Sequence, residues 1–173
     1  MEIKTASDAL RARAATLRMV VFDVDGVMTD GRFLLDESGN EYKSFNTQDG
    51  YGLRRLMDAG IAVAIITGRN SGAVTKRAQE LGIEHVFQGS RQKRDTIQTL
   101  IDALETTPEY VAAVGDDIPD LEMFAAAKGL RFAVANAVTA VLDHADLVTT
   151  RAGGFGAVRE IADFILDARS QVE

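Results

Sequence analysis

The chain has 173 residues, of which 46% are hydrophobic and 26% are charged, a composition typical of a globular domain and not of a disordered or fibrous chain. Nineteen basic residues against twenty-six acidic ones leave a net charge of −7, which argues against the phosphate backbone of a nucleic acid as a partner. Because the sequence contains no cysteine, disulfide frameworks, thiolate zinc sites and cysteine nucleophiles are excluded.

The longest apolar runs, residues 19–22 and 61–66, are far shorter than the roughly 18 to 20 residues that span a bilayer. The N-terminal residues include Lys4, Asp8 and Arg11 and lack the apolar core of a signal peptide. We therefore expect a cytoplasmic protein that does not enter a membrane.

Hydrophobic periodicity and turn residues divide the chain into alternating elements. Helices are predicted over residues 7–16, 51–59, 71–81, 92–104, 118–127 and 157–168. Strands are predicted over residues 19–23, 61–66, 85–88, 110–114, 130–135 and 147–148. Residues 32–36 and 41–45 flank a polar turn and are typical of a β-hairpin.

Strand–helix alternation of this kind predicts an α/β fold, with a central parallel sheet and helices on both faces. No linker or repeat divides the sequence, so residues 1–173 are predicted to form one domain. In such sheets ligands bind at the carboxyl ends of the strands, which directs attention to the residues that follow each predicted strand.

Carboxylates, a hydroxyl and a cation follow successive predicted strands. They are Asp23 and Asp25 after the first strand, Thr67 after the second, Lys93 after the third, and Asp116, Asp117 and Asp120 after the fourth. Taken singly, such residues have ordinary explanations as turns, helix caps or solvated surface groups. Crowded together, the carboxylates are best tolerated around a divalent cation, and oxygen ligands without nearby His or Cys favour Mg²⁺.

The order and spacing of these residues resemble the four motifs of the haloacid dehalogenase-type phosphatases. The matching segments are Asp23-Val-Asp25-Gly-Val-Met-Thr-Asp30, Thr67-Gly-Arg69, Lys93 and Gly115-Asp116-Asp117-Ile-Pro-Asp120. Two further segments, Ser44-Phe-Asn46-Thr-Gln-Asp49-Gly50 and Ala152-Gly-Gly-Phe-Gly-Ala-Val-Arg159, are similar to the 3-deoxy-D-manno-octulosonate (KDO) 8-phosphate phosphatases, a tetrameric branch of that superfamily. The resemblance implies a Rossmann-like fold and Mg²⁺-dependent hydrolysis of a sugar-acid phosphate in lipopolysaccharide precursor synthesis.

The resemblance also implies a role for each motif residue. Asp23 would attack phosphorus and form an aspartyl-phosphate, and Asp25 would serve as the general acid and base. Thr67, Gly68 and Lys93 would hold the phosphoryl group, and Mg²⁺ would be bound by Asp23, Asp116 and the backbone carbonyl of Asp25. Asp117 and Asp120 would orient these groups and cap the following helix.

Further residues are predicted to contact the sugar acid. Arginine offers a fork of donors that suits a carboxylate, which makes Arg54, Arg69 and Arg77 candidates, although a solvated helix face is the alternative explanation. Sugar hydroxyls would be bound from the segment that follows the hairpin. Its residues are Asn46, Thr47, Gln48, Asp49 and Gly50.

The intervals between the motifs are too short for a separate cap domain. We therefore expect a hairpin flap over residues 31–46, a homotetramer, and a glycine-rich C-terminal tail over residues 151–173 that covers a neighbouring site. An ordinary flexible entry to the last helix is nearly as good an explanation of those glycines. Phe155 and Asn136 depart from the family pattern, which often has a basic residue and an Asp at these positions, and Phe155 leaves the exact sugar open.

Two other functions compete with this interpretation. A nonulosonate 9-phosphate phosphatase would keep the reaction and change the sugar. A non-catalytic receiver-like phosphoacceptor would need its acceptor Asp on a separate middle strand, where this sequence has Thr67, and an inactive oligomerisation domain would not need the complete set of motif residues.

Overall fold

Six parallel strands form the central sheet of this computed structural model, which describes residues 1–171. In chain order, the strands of this sheet and of a separate hairpin are β1 (Met19–Phe22), β2 (Leu34–Leu35), β3 (Glu41–Tyr42), β4 (Ala62–Ile66), β5 (His85–Phe87), β6 (Val111–Gly115), β7 (Leu130–Ala133) and β8 (Leu147–Val148). The α-helices are α1 (Asp8–Ala15), α2 (Thr47–Asp58), α3 (Gly72–Leu81), α4 (Lys93–Ala103), α5 (Leu121–Ala126), α6 (Thr139–Leu142) and α7 (Ala157–Ser170). The strand order in the sheet is β5-β4-β1-β6-β7-β8, and β2 pairs with β3 as a separate antiparallel hairpin.

The centre of the sheet is apolar on both sides, as expected for a parallel sheet covered by helices. Every residue of β1 and β6 is buried. One helical group consists of α1, α2 and α7, which pack together, while α4 packs against α5. This arrangement confirms the predicted α/β class.

The register of the sheet determines where the site lies. Phe22 at the end of β1 is paired with Ile65 of β4 and with Val114 of β6. The residues that follow these three strands therefore emerge side by side at one edge of the sheet.

Helix α2 begins four residues earlier than the sequence predicts. The side chain of Asn46 accepts a hydrogen bond from the backbone N–H of Gln48 and caps the helix, which then continues through Gly50 and Gly52. The predicted helix over residues 51–59 already contains Gly52, so the difference is the first turn, which contains Gly50, a poor helix former. The close packing described below explains why both glycines are accommodated.

The hairpin is also shorter than predicted. Each strand has two residues, and Asp36 closes the turn by accepting hydrogen bonds from the backbone N–H groups of Ser38 and Asn40. In the described residues, the hairpin and α2 fill the interval between β1 and β4, and no cap domain is present there. None of the described helices is long and apolar enough to cross a bilayer.

Helix α7 confirms the helix predicted over residues 157–168 and continues it to Ser170, within the segment 151–173 described above as a glycine-rich tail. Ile161, Ala162 and Ile165 are completely buried, so this helix is part of the core. The preceding loop is also docked on its own chain, because the backbone N–H of Gly154 donates to the carbonyl of Val27 at 3.1 Å. Removing the chain from Ala152 onward would therefore unfold the domain and would not simply remove a lid. Residues 172–173 of the predicted tail lie outside the described part of the chain.

Candidate active site

Residues that follow β1, β4 and β6 surround a cavity of about 400 Å³ at the carboxyl edge of the sheet. Its lining residues are Asp23, Asp25, Gly31, Thr67, Gly68, Arg69, Lys93, Asp116, Asp117, Pro119 and Asp120. The cavity brings together most of the chemically active residues singled out in the sequence.

Lys93 is the central cation of this cavity. It is the first residue of α4, only 4% exposed, and its Nζ lies 2.7 Å from Asp23 Oδ1 and 2.7 Å from Asp120 Oδ1. Burial acts to lower the pKa of Lys93, but the charges of Asp23 and Asp120 outweigh it and raise the pKa. The amine is therefore a permanent positive charge beside the carboxylate of Asp23.

The carboxylates outnumber this one amine. Asp23, Asp116 and Asp120 each offer an oxygen within 4.8 Å of the others. Burial, followed by the charge of Asp120, raises the pKa of Asp23 to about 7, and the same two causes raise the pKa of Asp116 to about 8.

Asp116 marks the place where positive charge is missing. Its Oδ1 is buried and has no hydrogen-bond partner among the described residues. An unpartnered carboxylate oxygen facing two other carboxylates fits a divalent cation, and an all-oxygen donor set suits Mg²⁺. The residues present therefore fit the metal that the sequence predicts.

The loop after β1 is shaped by Gly26 and Thr29. Gly26 has a φ of +95°, and a methyl group built on its Cα would overlap the carboxylate of Asp116. The buried hydroxyl of Thr29 accepts from the N–H groups of Gly26 (3.4 Å) and Gly31 (3.2 Å) and donates to the carbonyl of Val24 (3.4 Å). This loop can approach Asp116 closely only because residue 26 has no side chain.

Asp120 holds the loop after β6. Its Oδ2 accepts from the backbone N–H groups of Asp116 at 2.9 Å and Asp117 at 3.2 Å, while its Oδ1 binds Lys93. Asp117 caps the short 3₁₀ helix Ile118–Asp120 by accepting from the N–H of Ile118. Asp120 thus links Asp116 to Lys93 through one buried side chain.

Several predicted substrate-binding residues do not line this cavity. They are Asn46, Thr47, Gln48, Asp49, Gly50, Arg54 and Arg77. Arg54 donates to the carbonyl of Glu80, and Arg77 contacts Glu80 and the carbonyl of Asn46, each at 3.4 Å. Of the three arginines proposed to meet a carboxylate, the structure brings only Arg69 to the cavity.

The segment at the start of α2 contacts the loop before α7. The amide of Asn46 donates to the carbonyl of Gly154, and the buried carboxylate of Asp49 accepts from the N–H groups of Gly156 and Arg159. Desolvation raises the pKa of Asp49, with these hydrogen bonds opposing it. In the described chain, these two residues fasten α2 to α7.

Three hairpin residues that were not predicted from the sequence contact Asp25 or Arg69 at the mouth of the cavity. Lys43 donates a hydrogen bond to Asp25 Oδ1, and Glu41 accepts from Arg69 Nη2 at 2.6 Å. The ring of Phe33 lies 4.2 Å from the guanidinium carbon of Arg69. A signal was available, because Glu41 and Lys43 are two residues apart in the predicted strand 41–45 and would share one face of the hairpin.

Asn136, which departs from the family pattern, connects two loops near the cavity. Its amide nitrogen donates to the carbonyl of Gly26 at 3.2 Å, and its amide oxygen accepts from the N–H of Gly153 at 2.6 Å. An amide can do both at once, whereas an ionised carboxylate could only accept. Asn136 therefore joins the loop after β1 to the loop before α7.

Known proteins share this sequence and architecture. Residues 83–161 match a family model described as haloacid dehalogenase-like hydrolase. A KDO 8-phosphate phosphatase from Yersinia pestis is 44% identical over 96% of this chain and 89% of its own length, and one from Escherichia coli (strain K12) is 43% identical over 94% and 86%.

Solved structures extend the likeness to the fold. The Yersinia pestis enzyme superposes with a TM-score of 0.93 over 96% of this chain and 90% of that one. The Moraxella catarrhalis KDO 8-phosphate phosphatase, solved with magnesium, phosphate and KDO, has a TM-score of 0.92 at 38% identity and covers 96% and 95% of the two chains. The chain therefore belongs to the haloacid dehalogenase-like hydrolases, in the group of KDO 8-phosphate phosphatases.

Proposed function

We propose that this protein hydrolyses KDO 8-phosphate to KDO and phosphate in a Mg²⁺-dependent reaction. The observation that carries the proposal is the pairing of Asp23 Oδ1 with Lys93 Nζ at 2.7 Å, in one cavity with Asp25, Thr67 and the unpartnered oxygen of Asp116. This is a nucleophile, an acid or base, a cation and a metal site within one small volume. The KDO 8-phosphate phosphatases that resemble the chain over most of its length support the same substrate.

In the first half-reaction an oxygen of Asp23 attacks phosphorus, and the bond from phosphorus to the sugar oxygen breaks. Asp25, in its protonated form, gives its proton to the departing sugar oxygen, since an alkoxide is a poor leaving group. Lys93 stabilises the negative charge on Asp23 and on the phosphoryl oxygens. Thr67 and the N–H of Gly68 are proposed to bind the non-bridging oxygens.

In the second half-reaction water attacks the aspartyl-phosphate on Asp23. Asp25, now ionised, takes a proton from that water, and inorganic phosphate leaves as the Asp23 carboxylate is restored. Asp23, Asp116 and the backbone carbonyl of Asp25 are the proposed ligands of Mg²⁺. The metal would supply positive charge that neutralises the carboxylates and the phosphoryl group.

The sugar end of the substrate is proposed to meet Arg69, which lines the cavity. The proposed contacts of Arg54, Arg77 and residues 46–50 with the substrate rest on the resemblance alone. A homotetramer, a tail that covers a neighbouring site and a cytoplasmic location also stay proposals. The assembly is supported by the hairpin, where Leu34, Leu35 and Tyr42 are each more than half exposed.

A phosphate-release assay tests the function. With Mg²⁺ the wild-type protein should release phosphate from KDO 8-phosphate faster than from a nonulosonate 9-phosphate, and EDTA should abolish the release. A preference for the nonulosonate 9-phosphate would favour the competing sugar. Release from neither sugar phosphate would contradict the proposal and favour a non-catalytic phosphoacceptor or an oligomerisation domain.

Substitutions test the assignment of Asp23 and Asp25. We expect Asp23→Asn and Asp25→Asn to abolish turnover while each variant unfolds at a denaturant concentration close to that of the wild type. The matched control is Asp95→Asn, because Asp95 is exposed on α4 and lies outside the cavity lining. Full activity of either cavity variant would remove the proposed mechanism.

A further inference from the structure

Four charged groups at the mouth of the cavity form a closed ring in which the signs alternate. Lys43 Nζ donates to Asp25 Oδ1 and lies 3.3 Å from Glu41 Oε1. Glu41 Oε2 accepts from Arg69 Nη2 at 2.6 Å, and Arg69 Nε lies 3.9 Å from Asp25 Oδ2. Each cation therefore lies between the same two carboxylates, and both oxygens of Asp25 face a cation.

The two ring members on the hairpin are shielded from water, whereas the side chain of Arg69 is 48% exposed. The side chain of Lys43 has no exposed surface, and that of Glu41 is 16% exposed. The phenyl group of Phe33 lies over both cations, with its centre 4.2 Å from the guanidinium carbon of Arg69 and 5.5 Å from Lys43 Nζ. Hydrogen bonds to charged groups are stronger in such a setting than in water, and the loss of one partner leaves another charge uncompensated.

The hairpin that contributes Lys43 and Glu41 to this ring is short and largely exposed. Its strands have two residues each, and Leu34 and Leu35 are 72% and 61% exposed. The ion pairs to Asp25 and Arg69 are therefore prominent attachments of the hairpin to the rest of the described chain. The position of the hairpin and the orientation of the Asp25 side chain must change together.

We propose that Lys43 is a positioning residue that fixes the carboxyl group of Asp25 for proton transfer, with Glu41, Arg69 and Phe33 fixing Lys43. The inference rests on the proposed function, in which Asp25 serves as the acid and base. Lys43 contacts Asp25 from the hairpin, whereas Lys93 binds Asp23 from α4. Lys93 thus contacts the proposed nucleophile Asp23, and Lys43 contacts the proposed acid Asp25.

The test uses the dependence of the rate on the leaving group. Protonation of the leaving oxygen matters for a sugar alcohol and little for p-nitrophenolate, which departs as a stable anion. We expect Lys43→Met to lower kcat on KDO 8-phosphate at least about tenfold with a change in KM of less than about twofold, since general acid catalysis contributes about 10²- to 10⁴-fold. The burst of p-nitrophenolate in a single turnover of p-nitrophenyl phosphate should stay within about threefold of the wild type.

Three further variants make the result specific. Lys43→Arg keeps a cationic donor and should recover part of the lost kcat. Lys128→Met removes an exposed lysine that pairs only loosely with Glu109, at 4.0 Å, and should leave both assays unchanged. Asp25→Asn is the reference for a lost acid and should show the same selective loss on the sugar phosphate.

The outcomes separate the positioning role from its alternatives. Equal losses of Lys43→Met on both substrates would mean that Lys43 acts on the phosphoryl group, and a rise in KM alone would mean that it binds the sugar. Either result, or an unchanged kcat, would overturn the proposal. Failure of Asp25→Asn to discriminate between the substrates would instead contradict the proposed role of Asp25, and so identify the proposed function as the part in error.

Discussion

Two side chains, Asp23 and Asp116, carry most of the electrostatic cost of the cavity. Asp23 is buried, Asp116 is half-buried, and both lie close to Asp120, while among the described residues Lys93 supplies the compensating charge. Protons or a divalent cation can neutralise the excess negative charge of the carboxylates, and the two compete for the same oxygens. The competition makes the metal affinity depend on pH in a direction that can be worked out.

Mg²⁺ should stabilise the protein more at pH 8 than at pH 6. The pKa of Asp116 rises from 3.8 to about 8 on folding, so without metal its contribution to stability is full below pH 3.8 and is lost as the pH rises through about 8. The contribution of Asp23, whose pKa is raised to about 7, is likewise lost as the pH rises. Mg²⁺ binds the ionised carboxylates, so the rise in melting temperature on adding Mg²⁺ should grow from pH 6 to pH 8.

The control for this experiment is Asp116→Asn, in which the titrating ligand is absent. Its melting temperature should respond weakly to Mg²⁺ at both pH values. A Mg²⁺-induced rise in the wild type that is equal or larger at pH 6 would contradict the raised pKa values.

Gly26→Ala should weaken Mg²⁺ binding and nearly abolish activity. A methyl group at this position overlaps the Asp116 carboxylate, and the φ of +95° adds strain of roughly 1 kcal/mol for a residue with a side chain. Titration calorimetry with Mg²⁺ and an activity assay would measure the two effects.

Gly39→Ala separates strain from overlap. Gly39 has a φ of +81°, but no atom lies within 4 Å of the position that its Cβ would take. We expect a similar loss of stability without a loss of metal affinity. Equal metal binding by the two variants would show that the contact with Asp116 is unimportant.

The residues of the cavity differ in how far sequence could reveal them. Asp23, Thr67 and Asp116 follow buried parallel strands, whose carboxyl ends must meet at one edge, so their convergence is predictable. Lys43 directly follows the two-residue strand β3, and its contact with Asp25 depends on how the hairpin folds back. No periodic pattern encodes that fold-back, which is a tertiary property.

At the scale of elements, two glycines inside α2 permit close packing. A Cβ at Gly52 would lie 3.1 Å from the Cβ of Ala162 and 3.1 Å from the Cα of Arg159, both on α7. A Cβ at Gly50 would overlap the guanidinium of Arg77 and lie 3.1 Å from Leu81. Glycine is a poor helix former, so this close packing accounts for both glycines lying inside α2.

Helix α7 is capped from another element, and this cap should contribute measurably to stability. Its own N-cap is Gly156, which has no side chain, and the carboxylate of Asp49 on α2 accepts from the N–H groups of Gly156 and Arg159 instead. Asp49→Ala should therefore lower the free energy of unfolding by about 1 to 2 kcal/mol, the usual value of a cap. Urea denaturation followed by circular dichroism would measure it.

Asp49→Asn is the matched variant, because its amide oxygen can still accept one of the two hydrogen bonds. It should lose less than half of what Asp49→Ala loses. The same loss in both variants would argue that the negative charge, and not the acceptor, stabilises α7.

At the scale of the whole molecule, the hairpin presents neighbouring apolar side chains to solvent. Leu34, Leu35 and Tyr42 of this hairpin are exposed by 72%, 61% and 56%. Two-stranded hairpins are marginally stable alone, and exposed apolar edges tend to pair with other chains. Together with the proposed tetramer, this makes the hairpin the surface through which copies would associate.

Leu34→Lys should therefore dissociate the assembly and lower activity. The substitution places a charge in an apolar contact, while Leu34 makes little contact with the core of its own chain, so the unfolding midpoint should change little. Sedimentation velocity would give the oligomeric state. The control is Glu37→Lys, which also introduces a lysine into this hairpin but at its polar turn. The hairpin also carries Lys43 and Glu41, so the loss of contacts with other subunits should loosen the ring of charges around Asp25. We therefore expect kcat to fall together with the assembled fraction. A Leu34→Lys protein that sediments as the wild type does would remove the hairpin as the interface, and a monomer with full activity would separate assembly from catalysis.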